Sequence, residues 1–359
     1  MYYLSAGSGF SSFSISGTGT MLDDNPTNWV VIGAMDADGN GHPDLFFKNN
    51  SSGEVTVNYY GGSNGLTWLS WDDVEQVQTQ KILFVTARPK ATGPNSVLLY
   101  IGSTLPYTGD ETRCDGLTAG GVSDHDYYAL ERELDALELG YDTATMDGSG
   151  GTLDLINMTQ SELDAYKLFI VPGGDVYCIA VNWPEATRQM VQSAVLNSGV
   201  SYLGICAGAF VAGDSDPYLN LTGLPLSPNG WNSFDFYSLY YSLYNPNTDP
   251  EPKAIVQLSL PSTSPFGTQM NVFWFSGPQL SGFGSVLANY PDGTPAAAEE
   301  AVSDQGFIVL SGVHSEAPAS WFYNEYGLSW TTSPPIQTDF AFAASLINSA
   351  LTKTTLPLF

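Results

Sequence analysis

The order of hydrophobic and polar positions divides the chain into two parts with different periods. Up to about residue 75 the chain is rich in Gly, Ser, Asn and Thr, and apolar and polar residues alternate over short stretches such as 13–16 and 55–59. Alternation with a period of two is typical of strands with one buried face, and the polar stretches between them are typical of turns. We therefore predict a small all-β segment over residues 1–75.

From residue 81 onward, continuous apolar runs alternate with segments whose apolar residues recur at helical spacing. Strands buried on both faces are predicted at 81–85, 97–101, 168–171 and 202–205. Helices are predicted at 126–139, 160–166 and 184–197, and further strands at 143–146, 254–260, 271–275, 285–290, 296–301 and 306–310. This alternation predicts an α/β domain over residues 76–359, with a doubly wound, mostly parallel sheet.

Two shorter stretches of this domain have two readings each. The tyrosine-rich run at 237–244 either lines a ligand pocket or packs a β-hairpin, and packing is the simpler reading. The stretch Ser123-Asp124-His125-Asp126 is typical of a helix start, where Ser123 or Asp124 serves as N-cap. The other reading of that stretch makes His125 a substrate contact.

Cys206 lies in a Gly-x-Cys-x-Gly motif, after the apolar run 202–205 and before a run of small residues. This pattern is typical of a nucleophile elbow, a sharp strand-to-helix turn that needs small residues two positions before and after the nucleophile. The N–H groups at the start of the following helix favour the thiolate. The other reading of Cys206 is a small buried hydrophobic residue.

His314 follows the predicted strand 306–310, and Glu316 stands two residues later. A histidine at a strand end takes the proton of a nucleophile, and a neighbouring carboxylate orients the imidazole. We therefore predict Cys206 as nucleophile, His314 as base and Glu316 as its partner. The backbone N–H groups of Ala207 and Gly174 are the predicted oxyanion hole.

A second motif lies in the N-terminal part. Oxygen-bearing side chains recur at alternate positions of the loop 36–44, and Gly39 and Gly41 let the backbone curl. Calcium requires such a set of oxygen ligands. The predicted ligands are Asp36, Asp38, Asn40, the backbone carbonyl of His42, and Asp44. The alternative is a solvated turn without metal.

The charge composition of the chain disfavours two classes of binding partner, nucleic acids and anionic membranes. The chain has 359 residues, with 10 Lys and Arg against 37 Asp and Glu, for a formal net charge of -27. Such a surface repels nucleic acid and anionic membranes, and no apolar run has the length of a membrane span. We expect an extracellular, cell-surface or periplasmic protein. Its three cysteines leave at least one thiol free, and a Cys114–Cys178 disulfide is possible in that setting.

Three motifs together resemble the class I glutamine amidotransferase-like superfamily: residues 171–174 (VPGG), 204–208 (GICAG) and 312–316 (GVHSE). Within it, the chain is most similar to the branch named for the N-terminal domain of biotin–protein ligases, on the motifs around Tyr177-Cys178, Ser276-Gly277-Pro278 and 310–314. The loop 36–44 and its flanks, residues 29–55, resemble an FG-GAP/VCBS-type repeat, whose calcium loops lie between strands of β-propeller blades.

The superfamily resemblance covers residues 81–320 and implies a flavodoxin-like fold with a Cys-His-Glu triad formed by Cys206, His314 and Glu316. It also implies substrate contacts at Gly173, Asp175, Tyr177 and Phe210. The chain departs from the amidotransferases at Phe210, where they carry glutamine, and at Ser315, where they carry proline. Glutamine is therefore not the expected substrate, and without a following ligase domain the resemblance does not imply biotinylation.

These observations favour a hydrolase or acyl-transfer enzyme that attacks an amide-like carbonyl of a small molecule or peptide through Cys206, without a catalytic cofactor. A second hypothesis is a ligand-binding or redox-sensing module of the same fold, in which Cys206 is oxidised reversibly. A third takes the calcium repeat as the functional part of an adhesion or surface-display protein. The intact Glu316 disfavours a degenerate site.

Overall fold

The computed structural model describes residues 3–4, 15–16, 29–35, 44–49, 55–61, 67–74, 96–103, 117–149, 152–214, 217–225, 233–243, 252–302, 306–317 and 338–359. Before residue 96 only the backbone elements are described. The chain divides into two compact units, residues 1–87 and 88–359. The predicted strand at 81–85 and the loop residues Asp36, Asp38, Asn40 and His42 lie outside the described residues.

The described residues of the first unit are all in β-strands. Two short strands, β1 (Tyr3–Leu4) and β2 (Ile15–Ser16), pair with each other. The remaining strands form an antiparallel sheet in chain order: β3 (Trp29–Met35), β4 (Asp44–Asn49), β5 (Val55–Gly61) and β6 (Thr67–Val74). Each strand of this sheet pairs with the next one in the sequence, as strands joined by short turns do.

The second unit is an α/β domain built on a ten-stranded sheet. Its strands are β7 (Val97–Gly102), β8 (Tyr141–Thr145), β9 (Leu153–Asp154), β10 (Leu168–Val171), β11 (Ser201–Ile205), β12 (Lys253–Ser259), β13 (Gln269–Phe275), β14 (Ser285–Asn289), β15 (Pro295–Val302) and β16 (Gly306–Ser311). Its described helices are α1 (Asp124–Ala136), α2 (Gln160–Leu163), α3 (Val176–Asn182), α4 (Glu185–Asn197), α5 (Ala207–Val211), α6 (Ser238–Leu243) and α7 (Thr338–Thr352).

Parallel pairing joins the strands in the order β16-β11-β10-β7-β8-β9, and an antiparallel extension continues from β16 through β15, β14 and β12 to β13. The expected mostly parallel sheet is therefore present, with an antiparallel extension at one end. Every residue of β7, β10, β11 and β16 is buried. Strands buried at every position are covered on both faces, as their continuous apolar sequences predicted.

The helix boundaries differ from the predictions in ways that local chemistry explains. Helix α1 ends at Ala136 rather than near Gly140, because Glu138 takes the left-handed conformation, with φ of 59°, that terminates the helix. Residues 238–243 form helix α6, so the β-hairpin reading of the tyrosine-rich run was wrong. Tyr237, just before α6, stacks on Tyr290 with ring centroids 3.8 Å apart.

Helices α3 and α7 were not predicted. Helix α7 packs on β11, β13 and β16, and its buried residues include Phe342, Leu346 and Ile347. Within the ranges given above, we find no helical segment with the length and apolar character that crossing a membrane requires.

One buried carboxylate ties the C-terminal segment to the sheet. Glu299 on β15 is 2% exposed, and its two oxygens accept hydrogen bonds from the Ser349 hydroxyl at 2.8 Å and the Leu356 N–H at 2.9 Å. Burial raises the pKa of Glu299, although both hydrogen bonds act in the opposite direction. The folded state therefore holds the Glu299 proton more tightly than the unfolded state does.

We predict that Glu299→Gln gains stability relative to the wild type as the pH rises. The contribution of Glu299 is fully present below its ordinary pKa of 4.5 and is lost as the pH rises through the raised value in the folded state. The amide of the variant stays neutral throughout. The measurement is urea unfolding of both proteins between about pH 4.5 and 7.5.

The matched control is Glu300→Gln, the next residue on β15, whose side chain lies on the opposite face of the strand and is only partly buried. It removes one carboxylate charge from β15 without touching the buried one, so its effect on stability is subtracted from that of Glu299→Gln at each pH. A remaining effect of Glu299→Gln that stays constant with pH would contradict the prediction.

Candidate active site

The candidate site lies beyond the carboxyl ends of three adjacent parallel strands, β10, β11 and β16. Val171 pairs with Gly204, and Ile205 pairs with Ser311, so the three strands end at the same edge of the sheet. The next residues along these strands lead to Gly173, Cys206 and His314. Because parallel strands in register end together, residues far apart in the sequence meet there.

Cys206 lies in the turn between β11 and α5, with φ of 50° and ψ of -107°. A positive φ is strained for a residue with a Cβ, and such strain is concentrated at functional sites. The side chain is free and 6% exposed. Its thiol donates a hydrogen bond to the Phe275 carbonyl, with Sγ and O 3.4 Å apart.

The glycines on both sides of Cys206 are there because two backbone segments approach closely. A Cβ on Gly204 would overlap the carbonyl of Gly208, and a Cβ on Gly208 would overlap the carbonyl of Val171. The prediction that both positions must be small is therefore confirmed. Helix α5 spans only Ala207–Val211, so its dipole is small.

His314 is 3% exposed and is fixed from both its backbone and its ring. Its N–H donates to the Phe273 carbonyl at 2.9 Å, and its ring lies 5.8 Å from the Phe273 ring, centroid to centroid. Imidazole Nδ1 lies 2.9 Å from Oε1 of Glu316, which is fully buried. The expected contact between His314 and its carboxylate partner is therefore present.

A second carboxylate contacts the same imidazole, and the sequence analysis missed it. Oδ1 of Asp126, in the first turn of α1, lies 2.8 Å from Nδ1 of His314. The Nδ1–H bond points to Glu316, so the Asp126 contact is ionic rather than an aligned hydrogen bond. Asp126 stands four residues before Leu130 and thus on the predicted apolar face of the helix, which is the signal that sequence reasoning overlooked.

The charges in this cluster oppose the effect of burial on His314. Burial lowers the pKa of His314, but the charges of Cys206, Asp126 and Glu316 raise it more, and the net pKa lies well above the ordinary 6.5. Burial raises the pKa of Glu316, which the charge of His314 partly offsets. The arrangement therefore favours the imidazolium form of His314, which two buried carboxylates face.

The two backbone amides predicted to form an oxyanion hole belong to Gly174 and Ala207. Among the described residues, the N–H groups of Gly174 and Ala207 have no carbonyl partner. Gly174 has φ of 147°, and a Cβ there would overlap the carbonyl of Gly121, so this position requires glycine. The Ala207 N–H is the first of α5 and has no partner within the helix.

The predicted substrate contacts have other partners in the structure. Asp175 caps α3 by accepting the Cys178 N–H at 3.0 Å. Phe210 is 5% exposed and packs on Phe236, with ring centroids 5.0 Å apart. Tyr177 is half-buried in the first turn of α3. Gly173 lies against the cluster, since a Cβ there would overlap Asp126 and His314, and the Phe210 N–H donates to the Cys206 carbonyl at 3.2 Å.

Other predicted residues lie away from this cluster. Ser123 is the N-cap of α1, as one reading of that stretch expected, and the His125 side chain is 46% exposed. Cys178 is disulfide-bonded, and Cys114, the partner that the sequence analysis considered, lies outside the described residues. Asp44 begins β4, but its side chain is not described.

Two further features bear on ligands. Asp126, His314 and Glu316 offer one nitrogen and two oxygen atoms within 4.8 Å of one another, a ligand set that a divalent cation accepts. The separations of 2.8 and 2.9 Å also fit an ion pair, which we prefer because all three groups are explained by it. A cavity of about 660 Å³ is lined by residues such as Arg188 and Asp214, and its lining does not include the cluster.

In comparisons with known proteins, no family model and no curated sequence matches the chain. The assignment of a function therefore depends on the geometry and chemistry of the cluster formed by Cys206, His314, Glu316 and Asp126.

Proposed function

We propose that the second unit is a cysteine-nucleophile hydrolase or acyl-transfer enzyme that acts on an amide-like carbonyl. One observation carries this proposal. The adjacent strands β11 and β16 end next to each other, and a free cysteine with positive φ follows β11 while the buried His314–Glu316 pair follows β16. A nucleophile, a base and a group that orients the base are the parts that covalent catalysis requires.

In the proposed reaction His314 takes the proton of Cys206, and the thiolate forms a bond to the substrate carbonyl carbon. The N–H groups of Gly174 and Ala207 stabilise the oxyanion of the tetrahedral intermediate. The intermediate expels the amine, which leaves with the proton from His314, and a thioester on Cys206 remains. Water, deprotonated by His314, or another acceptor then attacks the thioester, which releases the acyl group and restores the thiol.

We further propose that this unit is a flavodoxin-like member of the class I glutamine amidotransferase-like superfamily. In chain order, the five principal parallel strands are β7, β8, β10, β11 and β16, and their order in the sheet is β8-β7-β10-β11-β16. This is the flavodoxin-like order 2-1-3-4-5, whose ligands bind beyond the carboxyl ends of the strands. Cys206 and His314 lie at those ends, as the resemblance implies.

The second candidate function is a ligand-binding or redox-sensing module, and one observation favours it. Cys206 is only 6% exposed, and its thiol proton is donated to the Phe275 carbonyl rather than to a histidine. A thiol held in this way has little nucleophilic character. The two functions are separated by the reactivity of Cys206 in the folded protein.

For the first unit we propose a calcium-binding loop over residues 36–44. Strands β3 and β4 are antiparallel neighbours, and Met35 pairs with Asp44, so the two ends of the loop are adjacent. This placement supports the resemblance to an FG-GAP/VCBS-type repeat, in which the calcium loop joins two strands of a propeller blade. Calcium, the acidic surface and the Cys178 disulfide together support an extracellular, cell-surface or periplasmic setting.

We predict that Cys206 of the wild type is alkylated by iodoacetamide at about pH 6 at least about tenfold faster than Cys206 of His314→Ala. The imidazolium of His314 stabilises the thiolate, which is the species that reacts. Peptide mass spectrometry of the folded protein measures the rate. Glu316→Gln should give an intermediate rate, because the imidazole keeps its place but loses a charged partner.

The matched control is His125→Ala, which removes an exposed histidine in the first turn of α1 and should leave the rate unchanged. A Cys206 that is unreactive in the folded wild type would overturn the catalytic proposal in favour of the binding module. If the rate difference is found, matched amide and ester substrates are tested for a Cys206-linked acyl group by intact mass.

For the calcium loop, we predict that calcium raises the melting temperature of the wild type relative to the protein in a chelator, and that this shift is lost in Asp38→Ala. Binding to the folded state alone stabilises it by about 2.7 kcal/mol when the free calcium is about 100 times Kd. Calorimetry of the full chain measures the shift. Asp23→Ala, outside the loop, is the control and should keep the shift. A melting temperature of the wild type that is the same with calcium and with the chelator would contradict the assignment.

A further inference from the structure

Asp126 is held against the candidate base by two features of the local backbone. Ser123 caps α1 and accepts the Asp126 N–H at 3.4 Å, which sets the position of the first helical turn. The Ser123 N–H donates to the Gly173 carbonyl at 3.2 Å, which ties this turn to the loop after β10. The Asp126 side chain, 8% exposed, is thereby directed to His314.

Gly173 makes room for this contact. A Cβ at that position would overlap both Oδ1 of Asp126 and Cε1 of His314. The position therefore needs a residue without a side chain for the carboxylate and the imidazole to meet. The two glycines of the VPGG motif therefore have different roles: Gly173 leaves space for the contact between Asp126 and His314, and Gly174 allows the backbone turn.

The contact is not needed to orient the imidazole. Glu316 already accepts the Nδ1–H bond, and Oδ1 of Asp126 has no hydrogen bond of its own among the described residues. A buried carboxylate oxygen without a donor is unfavourable unless a positive charge faces it. The imidazolium of His314 is that charge, so Asp126 favours the charged form of the base.

We propose that Asp126 is a positioning residue that holds His314 as an imidazolium beside Cys206, so that the site is a Cys-His-Glu triad supplemented by a second carboxylate. The role of Asp126 in catalysis rests on the proposed function. Its effect on the charge of His314 does not, because that charge can be measured without a substrate. Within the part of the chain that the structure describes, the charges of three groups act on His314: Cys206 from the turn after β11, Asp126 from α1, and Glu316 from the segment after β16.

The test is Asp126→Asn, which keeps the shape of the side chain and removes its charge. His314 is titrated by NMR of its ring, and its signals are assigned by their loss in His314→Ala, since the chain has three histidines. An opposite charge within about 4 Å shifts a pKa by one to three units, so the pKa of His314 should fall by about one unit or more. Alkylation of Cys206 at about pH 6 should slow by about tenfold.

The matched control is Asp124→Asn, in the same helical turn, with a side chain that is 55% exposed. It removes the same charge from the N-terminus of α1 and should leave both the titration and the alkylation rate unchanged. A merely structural role of Asp126 would lower the melting temperature of Asp126→Asn without moving the pKa of His314. If Asp126→Asn does not fold, Asp126→Ser, which is smaller, takes its place in the same titration.

A His314 that titrates in Asp126→Asn as it does in the wild type would overturn the inference. Failure of the proposed function gives a different result. The alkylation rate of Cys206 would then be the same in the wild type and in His314→Ala, whereas the titration of His314 would still show whether Asp126 raises its pKa. A pKa of His314 that falls in Asp126→Asn and not in Asp124→Asn supports the inference in either case.

Discussion

The close approach of the strand and helix around Cys206 is the constraint on which the candidate site depends. The backbone of α5 lies against Gly204 and the carbonyl of Val171 so closely that neither Gly204 nor Gly208 can carry a Cβ. Cys206, which lies between these two glycines, has a positive φ of 50°. The neighbouring strands then bring Gly173 and His314 to the same edge without any further adjustment.

A second constraint is the charge balance of a cluster that has almost no contact with water. His314 and Glu316 are 3% and 0% exposed, so each charged group must be compensated by another group of the cluster. Glu316 and an imidazolium at His314 neutralise each other, and Asp126 is a second acidic group that faces the same imidazole. Both carboxylates favour the charged form of His314 and oppose the effect of its burial.

The parts of the site that the sequence predicted are those whose signals are local. Gly204, Cys206 and Gly208 lie within five positions, and His314 and Glu316 lie two apart, so each motif carries its own physical reason. Asp126 belongs to a contact between α1 and the segment after β16, and no local pattern encodes such a long-range pairing. Its helical position on the face of Leu130 was visible, but an acidic residue in a first turn also has a simpler explanation as a favourable charge at a helix N-terminus.

In the fold as well, the elements with a local sequence signal were predicted, and others were missed or misread. The continuous apolar runs predicted β7, β10, β11 and β16, because strands buried on both faces need no polar alternation. The β-hairpin reading of residues 237–244 was wrong, because Tyr237 stacks on Tyr290 and the residues that follow form helix α6. Helix α7 had a readable pattern at Phe342, Leu346 and Ile347, which was overlooked after the last predicted strand.

The thiol proton of Cys206 connects the two candidate functions. In the structure it is donated to the Phe275 carbonyl, which is held next to Ser276, a residue with φ of 52°. A carbonyl accepts this hydrogen bond but cannot take the proton, whereas His314 can. If the proton passes to His314, the hydrogen bond to Phe275 is lost, and a thiolate 3.4 Å from a carbonyl oxygen is repelled by it. In the reaction that we propose, the Phe275 carbonyl therefore holds the resting thiol and disfavours a thiolate in that same position, so that transfer of the proton to His314 and release of the sulfur from Phe275 are coupled.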